Sequence, residues 1–272
     1  MPELAEVEYY RRQWNPGIGQ KIERVAVHGK KRVFRGGEAH QIEHALAGAK
    51  FVGSEARGKQ MLFRFSGGAW LDVHLGMTGE LRVEAADFAP GKHDHLVLFQ
   101  KARALVFCDP RMFGRVGFER SASAPKWWTD LPPEVGAAEF TVERLAAALA
   151  RRKTAPIKAV LLDQALFPGI GNWMADEILW QSKLDPRTPA ARLDAAAVRL
   201  VWKMTRHIAR TALKTIGVDW GDPPDDWLFA QRWRKSGICP RHGITLTFDT
   251  IGGRTTAWCS LCQPPVRGRG SK

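Results

Sequence analysis

Near its C-terminal end the chain reads CPRH and then CSLC, so that Cys239 and His242, then Cys259 and Cys262, form two close pairs. Sixteen residues separate His242 from Cys259. Two such pairs, one hairpin's length apart, can wrap a single tetrahedral Zn²⁺. The intervening GITLTFDTIGGRTTAW alternates in strand fashion around Gly252-Gly253, which predicts a β-hairpin. All four positions are filled by protein ligands, so the one expected Zn²⁺ is structural rather than catalytic. The chain opens without an export signal, and there clustered cysteines favour metal over disulfides. The remaining cysteine, Cys108, sits in an apolar strand and reads as inert core.

Periodicity organises the rest. Residues 3–14 put Leu4, Val7 and Trp14 on one helical stripe. KIERVAVHG, QMLFRFSG, AWLDVHLG, ELRVE, HDHLVLFQ, ALVFCD and RVGFER then follow as short β-branched or aromatic runs broken by turn residues. They predict an antiparallel β-sandwich with the N-terminal helix laid against it. SASAPKWWTDLPPEVGAAEF, rich in Ser, Ala and Pro, reads as a linker. Helical runs take over where Thr141 is placed to cap VERLAAALARRK, and continue through APIKAVLLDQ, NWMADEILWQSKL and AAAVRLVWKMTRHIARTALKTIG. The expected fold class is α+β. Its parts are a β-sandwich domain over 1–120, a linker over 121–140, a helical domain over 141–230, a metal-bearing hairpin over 231–262 and a basic tail over 263–272.

No apolar run approaches the ~18 residues of a membrane span. The N-terminus carries Glu3, Glu6 and Glu8 and no apolar signal region. A cytoplasmic protein without a membrane partner is expected. Its charge points to a polyanion. Lys and Arg number 41 against 28 Asp and Glu, a net of +13. Residues 231–272 hold Arg232, Arg234, Lys235, Arg241, Arg254, Arg267, Arg269 and Lys272 against Asp249 alone. A basic region localised in this way favours nucleic acid over a merely solubilising surface.

Two further stretches fit that partner. In DQALFPGIGNWMADEIL, Pro168, Gly169 and Gly171 break a helix and Asn172 is expected at the N-cap of the next. The free N–H groups and dipole of such an end attract phosphate. Arg254, just past Gly252-Gly253, is expected at the tip of the metal-stapled hairpin, a plausible probe for a groove or a phosphate.

These pieces, with PELAEVE at 2–8, ARGK at 56–59, HLGMTGELR at 74–82, GKHDH at 91–95, DPRMFGR at 109–115, TAPIK at 154–158, GIGNWMADE at 169–177 and GGRTTAWC at 252–259, resemble the formamidopyrimidine-DNA glycosylase/endonuclease VIII family of base-excision repair enzymes. The resemblance runs over about residues 2–262. It implies a β-sandwich joined to a helix-two-turns-helix domain with a zinc finger, acting as a monomer on double-stranded DNA that contains damaged bases. It implies Pro2, freed by loss of Met1, as the nucleophile, Glu3 as its general acid/base and Lys59 as a contact to the lesion-strand phosphate. Glu6 and Glu177 match carboxylates of the base pocket. Met77, Arg111 and Phe113 match the trio that fills the gap left by an extruded base, with Arg111 facing the orphaned partner. His93, Lys158, Asn172 and Arg254 match DNA-contacting positions.

The chemistry of Pro2 agrees with that role. An α-amino group has a reference pKa of about 7.7–8.0, against about 10.4 for Lys, so a far larger fraction of it is free base at neutral pH. The positive end of a following helix disfavours its ammonium form, while an ionised Glu3 pulls the other way.

Three departures from the family pattern stand out. Ala5 replaces a Pro, His242 replaces a Cys of the finger, and VDWGDPPDDWLFAQRW after Gly217 is shorter than the loop that folds over 8-oxoguanine. The last, with GGRTT, is similar to plant-type members. Oxidised purines and oxidised pyrimidines therefore both stand open as substrates. A zinc-containing DNA-binding protein without catalysis is the competing class, and intact Pro2, Glu3 and Lys59 argue against it.

Overall fold

The computed structural model describes residues 1–29, 32–34 and 38–265. Arg267, Arg269 and Lys272 of the expected basic tail lie outside the described residues. The chain divides into two compact units. One is Met1–Leu131 with Gly217–Trp220, the other Pro132–Ile216 with Gly221–Lys272.

The first unit opens with α1 (Leu4–Gln13), then β1 (Arg24–Val27) and α2 (Glu38–Leu46). Seven strands follow: β2 (Phe51–Arg57), β3 (Gln60–Phe65), β4 (Ala69–His74), β5 (Glu80–Ala85), β6 (Asp94–Gln100), β7 (Arg103–Cys108) and β8 (Arg115–Arg120). With β1 they form two four-stranded antiparallel sheets, in the orders β1-β6-β7-β5 and β2-β3-β4-β8. Alternate side chains of both sheets, among them Phe63, Phe65, Leu71, Val73, Leu98, Leu105 and Phe107, meet in one buried core. The expected stripe of α1 is buried: Leu4, Val7 and Trp14 all lie inside, and the Trp14 indole donates to the Val106 carbonyl at 3.3 Å.

Two elements went unread in the sequence. β2 is an edge strand with only Phe51 fully inside, so it lacks the alternation that marks a half-buried strand. α2 is short and turns Ala39, Ile42 and Leu46 into the core. The stretch read as a linker carries α3 (Lys126–Thr129), whose Trp128 packs with Leu62 and Trp70.

The second unit holds α4 (Val142–Arg151), α5 (Ile157–Leu161), α6 (Asn172–Gln181) and α7 (Ala195–Lys214). α8 (Ile216–Asp219) follows α7 and spans the point where the chain returns to the first unit. The second unit also holds the hairpin of β9 (Thr247–Ile251) and β10 (Arg254–Trp258). Thr141 caps α4 as expected, accepting from the Arg144 N–H at 3.2 Å. α7 is amphipathic and buries Val198, Val201, Ile208 and Ala212. Residues 173–180 of α6 are buried on every side, so this helix is the spine of the unit. The hairpin turns through Gly252-Gly253 with φ of +61° and +73°, the left-handed pair that a two-residue turn needs and that glycine supplies without steric cost.

Candidate active site and metal centre

The first unit gathers most of the residues singled out for chemistry. Glu3 is the N-cap of α1 and is buried, and Pro2 stands immediately outside the helix. The Glu3 N–H donates to a Glu6 carboxylate oxygen at 3.2 Å, so Glu6 closes the first turn. Ala5 is fully buried in that turn. Met1 precedes Pro2 and is exposed. Lys59 is half-buried in the two-residue turn that joins Arg57 of β2 to Gln60 of β3.

Met77, Arg111 and Phe113 lie on two loops held edge to edge. A side chain on Gly76 would meet the Phe113 carbonyl carbon at 2.4 Å, and its φ is +62°, so only glycine permits the approach. Asp109 ties the loops together. One carboxylate oxygen accepts from the Thr78 hydroxyl at 2.8 Å and the Arg111 N–H at 3.2 Å, the other from the Gly114 N–H at 2.7 Å. The Asp109 N–H in turn donates to the His93 carbonyl at 3.0 Å, which brings His93 to the same cluster. Met77 and Phe113 are 38% and 45% exposed, so neither is a core residue, and the Arg111 guanidinium lies 4.9 Å from the Phe113 ring centre. Asp109 was missed in the sequence. Its signal is an Asp at the head of a turn that closes on Gly114.

The second unit assembles another group. Asn172 is the first residue of α6 rather than its cap, which is Gly171. The Asn172 side chain reaches the hairpin instead and donates to the Thr255 carbonyl at 2.7 Å. The hairpin turn rests on α5: a side chain on Gly252 would strike the Ala159 Cβ at 2.8 Å. Arg254 is exposed beside this turn. The start of α6 thus meets the hairpin end that carries the exposed Arg254.

Lys158, expected on DNA, and Glu177, expected at the base pocket, have interior places. Lys158 is 0% exposed and its ammonium donates to Asp176 at 2.5 Å and to the Asn172 carbonyl at 2.7 Å. Arg232 grips the other Asp176 oxygen at 2.7 and 3.0 Å, and the Ala257 N–H adds a third donor at 3.2 Å. Asp176 therefore fastens α5, α6, the segment around Arg232 and β10 to one another. Glu177 is also 0% exposed and accepts from Gln181 at 2.8 Å and the Phe229 N–H at 3.1 Å. Burial pushes its pKa up to about 7 against those hydrogen bonds.

A pH dependence follows from Glu177. Between the ordinary carboxylate value and about pH 7 the folded chain holds a proton that the unfolded chain has released, so stability falls as pH rises through this window. The loss is on the order of 3 kcal/mol at most for this one group. Denaturant titrations of the wild type at pH 5 and pH 7 are expected to differ in that direction, and Glu177→Gln is expected to remove most of the slope. Equal slopes in the two proteins would contradict it.

The four predicted ligands converge. Cys239 Sγ, His242 Nδ1, Cys259 Sγ and Cys262 Sγ all lie within 4.8 Å of one another. Cys239 and Cys262 sulfurs are 3.6 Å apart, and His242 Nδ1 is 3.2 and 3.6 Å from the Cys262 and Cys259 sulfurs. Metal–sulfur bonds of about 2.3 Å in a tetrahedron place sulfurs about 3.8 Å apart, so the set fits one such ion. Burial pushes the Cys262 thiol up to about 12, and the two neighbouring thiols add to it. Burial also raises Cys239, but donors including the Arg241 and His242 backbone N–H groups outweigh it and hold the thiol below its ordinary value. Trp180 further packs with Leu228, Leu246 and the three cysteines in a small core of their own.

Family models and relatives agree with this arrangement. The formamidopyrimidine-DNA glycosylase N-terminal domain matches residues 1–116, and the formamidopyrimidine-DNA glycosylase H2TH domain matches residues 131–220. The chain belongs to the formamidopyrimidine-DNA glycosylase family. These are base-excision repair DNA glycosylases, and the α+β fold with its Cys/His-bearing hairpin is theirs. The formamidopyrimidine-DNA glycosylase of Roseiflexus sp. is 36% identical over 97% of this chain and 100% of its own length, and that of Xanthomonas campestris 34% over the same shares. Among solved structures, the Lactococcus lactis enzyme in complex with DNA containing an oxidised pyrimidine superposes with a TM-score of 0.86 at 28% identity, covering 97% of this chain and all of that one. A point mutant of the same enzyme bound to Fapy-dG DNA gives the same TM-score, identity and coverage. Among the described residues no helix is long and apolar enough to cross a membrane.

Proposed function

We propose that the chain is a bifunctional glycosylase and abasic-site lyase acting on oxidised bases in duplex DNA, with the Pro2 amine as nucleophile. The observation that carries the reading is Pro2 at the open end of α1 with the buried Glu3 carboxyl in the next residue. Once Met1 is removed, the neutral secondary amine attacks C1′ of the damaged nucleoside and the C1′–N bond to the base breaks. Glu3 hands a proton to the sugar ring oxygen or the departing base. The opened sugar forms an iminium with Pro2, which withdraws electrons and makes the 2′ proton acidic. Loss of that proton expels the 3′ phosphate, and a second elimination expels the 5′ phosphate. Lys59, on its hairpin turn, supplies a cation for the lesion-strand phosphate.

Met77, Arg111 and Phe113 suit the void left by the extruded base, and their exposure on loops braced by Asp109 supports this. His93, Asn172 and Arg254 hold the DNA backbone. Lys158 and Glu177 act from the interior by fixing α6 and the segments packed on it. The metal is zinc, one per chain, held by Cys239, His242, Cys259 and Cys262 to shape the hairpin that carries Arg254. Active protein is expected to carry about one zinc, and removing a ligand to leave the hairpin disordered with loss of DNA binding. Active protein with far less than one zinc would contradict this.

Both oxidised purines and oxidised pyrimidines remain in the range, since the Lactococcus relative is seen with DNA of each kind. The full trio favours purines opposite cytosine, because an Arg can donate to the acceptors of the orphaned base. Flipping a base costs a few kcal/mol. Phe113→Ala is therefore expected to lose on the order of 10- to 100-fold in excision from duplex DNA. Its stability should stay within about 0.5 kcal/mol of wild type, because the ring is exposed. A strand-cleavage panel varying lesion and partner base tests the whole reading. Arg111→Ala should flatten the preference for cytosine opposite the lesion. No cleavage of any lesion or abasic duplex by Met1-free protein would overturn the function.

A further inference from the structure

The helix α7 carries a charge pattern that nothing described so far uses. Over Ala195–Lys214 it holds Arg199, Lys203, Arg206, Arg210 and Lys214, with His207, and no acidic residue. Asp194 just ahead of it is its cap, and accepts from the Ala197 N–H at 2.8 Å. A helix face kept only for solubility gains from acids and bases mixed at i,i+4, because opposite charges there support the helix and like charges weaken it. α7 instead sets Arg199 against Lys203, Arg206 against Arg210 and Arg210 against Lys214.

Geometry sorts these cations. Arg206 is used within the unit: its guanidinium donates to the Ala137 carbonyl and lies 5.2 Å from the Trp202 ring centre. Arg199, Lys203, Arg210 and Lys214 are exposed. Among the described residues none of the four belongs to an ion pair. At 3.6 residues per turn and 1.5 Å per residue they share an arc of about 60° and run along about 22 Å of helix axis. Val198, Val201, Thr205, Ile208 and Ala212, which are buried, centre on the opposite side. α4 and α6 pack against α7. The cationic stripe therefore faces away from α6, whose first residue, Asn172, joins the hairpin that carries Arg254.

We propose that this stripe is a second duplex-binding surface, which takes hold of another DNA segment while the first is still bound and so passes the protein directly between segments. The proposal rests on duplex DNA as the partner in the reading above and adds a second site for it. Charge names the occupant. Duplex DNA presents one negative charge per about 1.7 Å of its axis, so about 22 Å of stripe runs beside about a dozen phosphates. Contacts of this kind go to the backbone and carry no sequence preference.

The test follows release of the full chain from a fluorescent, undamaged duplex as unlabelled duplex is raised. With a second site the competitor binds before the first duplex leaves, so the release rate climbs with competitor concentration. Without one, release is unimolecular and the rate is flat. Wild type is expected to climb, and the quadruple variant Arg199→Gln, Lys203→Gln, Arg210→Gln, Lys214→Gln to be flat. The wild-type dependence should weaken about 100-fold between 50 and 200 mM salt, as about four phosphate contacts require. Gln is a good helix former and removes the repulsion, so the melting temperature of the variant should not fall. Its single-turnover cleavage of an abasic-site duplex should be unchanged. A flat wild-type rate, or an equal climb in the variant, overturns the proposal. Loss of cleavage in the folded variant also overturns it, by placing the stripe on the track of the first duplex. Poly-glutamate that binds wild type but not the variant, with the duplex rate flat, would assign the stripe to an acidic protein instead. Release is read without chemistry, so wild-type protein that cuts no abasic duplex would fail the glycosylase reading and leave this result standing.

Discussion

Asp176→Asn is expected to destabilise the second unit by about 3–5 kcal/mol. The replacement keeps the shape and removes the charge that two buried cations share. Lys158 and Arg232, at 0% and 6% exposure, would lose the negative charge they share. Four segments lose a common anchor at once, because Asp176 touches Lys158 on α5, Arg232, and the Ala257 N–H on β10 from its own place on α6. Denaturant unfolding followed by fluorescence reads the loss directly. Replacing the whole triad with apolar residues of similar volume should recover much of it, since the penalty belongs to unpaired charge rather than to the pair itself. A shift below about 1 kcal/mol for Asp176→Asn would show that the cluster is solvated and the account of Lys158 wrong.

Blocking the N-terminal amine is the largest expected effect on activity. A variant that retains Met1, or carries an uncleaved tag ahead of it, is expected to lose on the order of 10³-fold or more in both excision and strand cleavage, because removing a nucleophile removes the covalent route altogether. Its fold should be intact, since Glu3, Glu6 and the buried residues of α1 are untouched and Met1 is exposed. Affinity for an abasic-site duplex should fall far less than the rate. A tagged protein of full activity would place the nucleophile elsewhere.

What could be read in advance divides by the kind of pattern involved. The metal hairpin was legible because four ligands at fixed spacing around two glycines admit few alternatives. The sandwich was legible because its strands alternate, and β2 escaped because an edge strand with only Phe51 fully inside does not. Pro2, Glu3, Met77, Arg111 and Phe113 are visible as motif residues. The residues that hold them are single acids or glycines without periodicity. Asp109 joins two loops about 30 positions apart in sequence, and Asp176 joins segments about 80 apart, as no local window can reveal. Lys158 and Glu177 show the limit from the other side. Lys158 matched a DNA contact and Glu177 a base-pocket carboxylate, yet Lys158 on α5 is buried against Asp176 and Glu177 sits on α6, which is buried all round. Asn172 failed as a cap for a related reason: its amide is drawn to the Thr255 carbonyl of a hairpin far along the chain.

The central claim is that the amine of residue 2 becomes covalently joined to the sugar of the damaged nucleotide. Borohydride reduction of Met1-free protein with an abasic-site duplex, followed by proteolysis and peptide mass spectrometry, locates that bond. The account predicts a single adduct on the N-terminal peptide, with the added mass on Pro2 and none in protein that retains Met1. An adduct on Lys59 or another lysine, or one formed in full yield with Met1 in place, would contradict it.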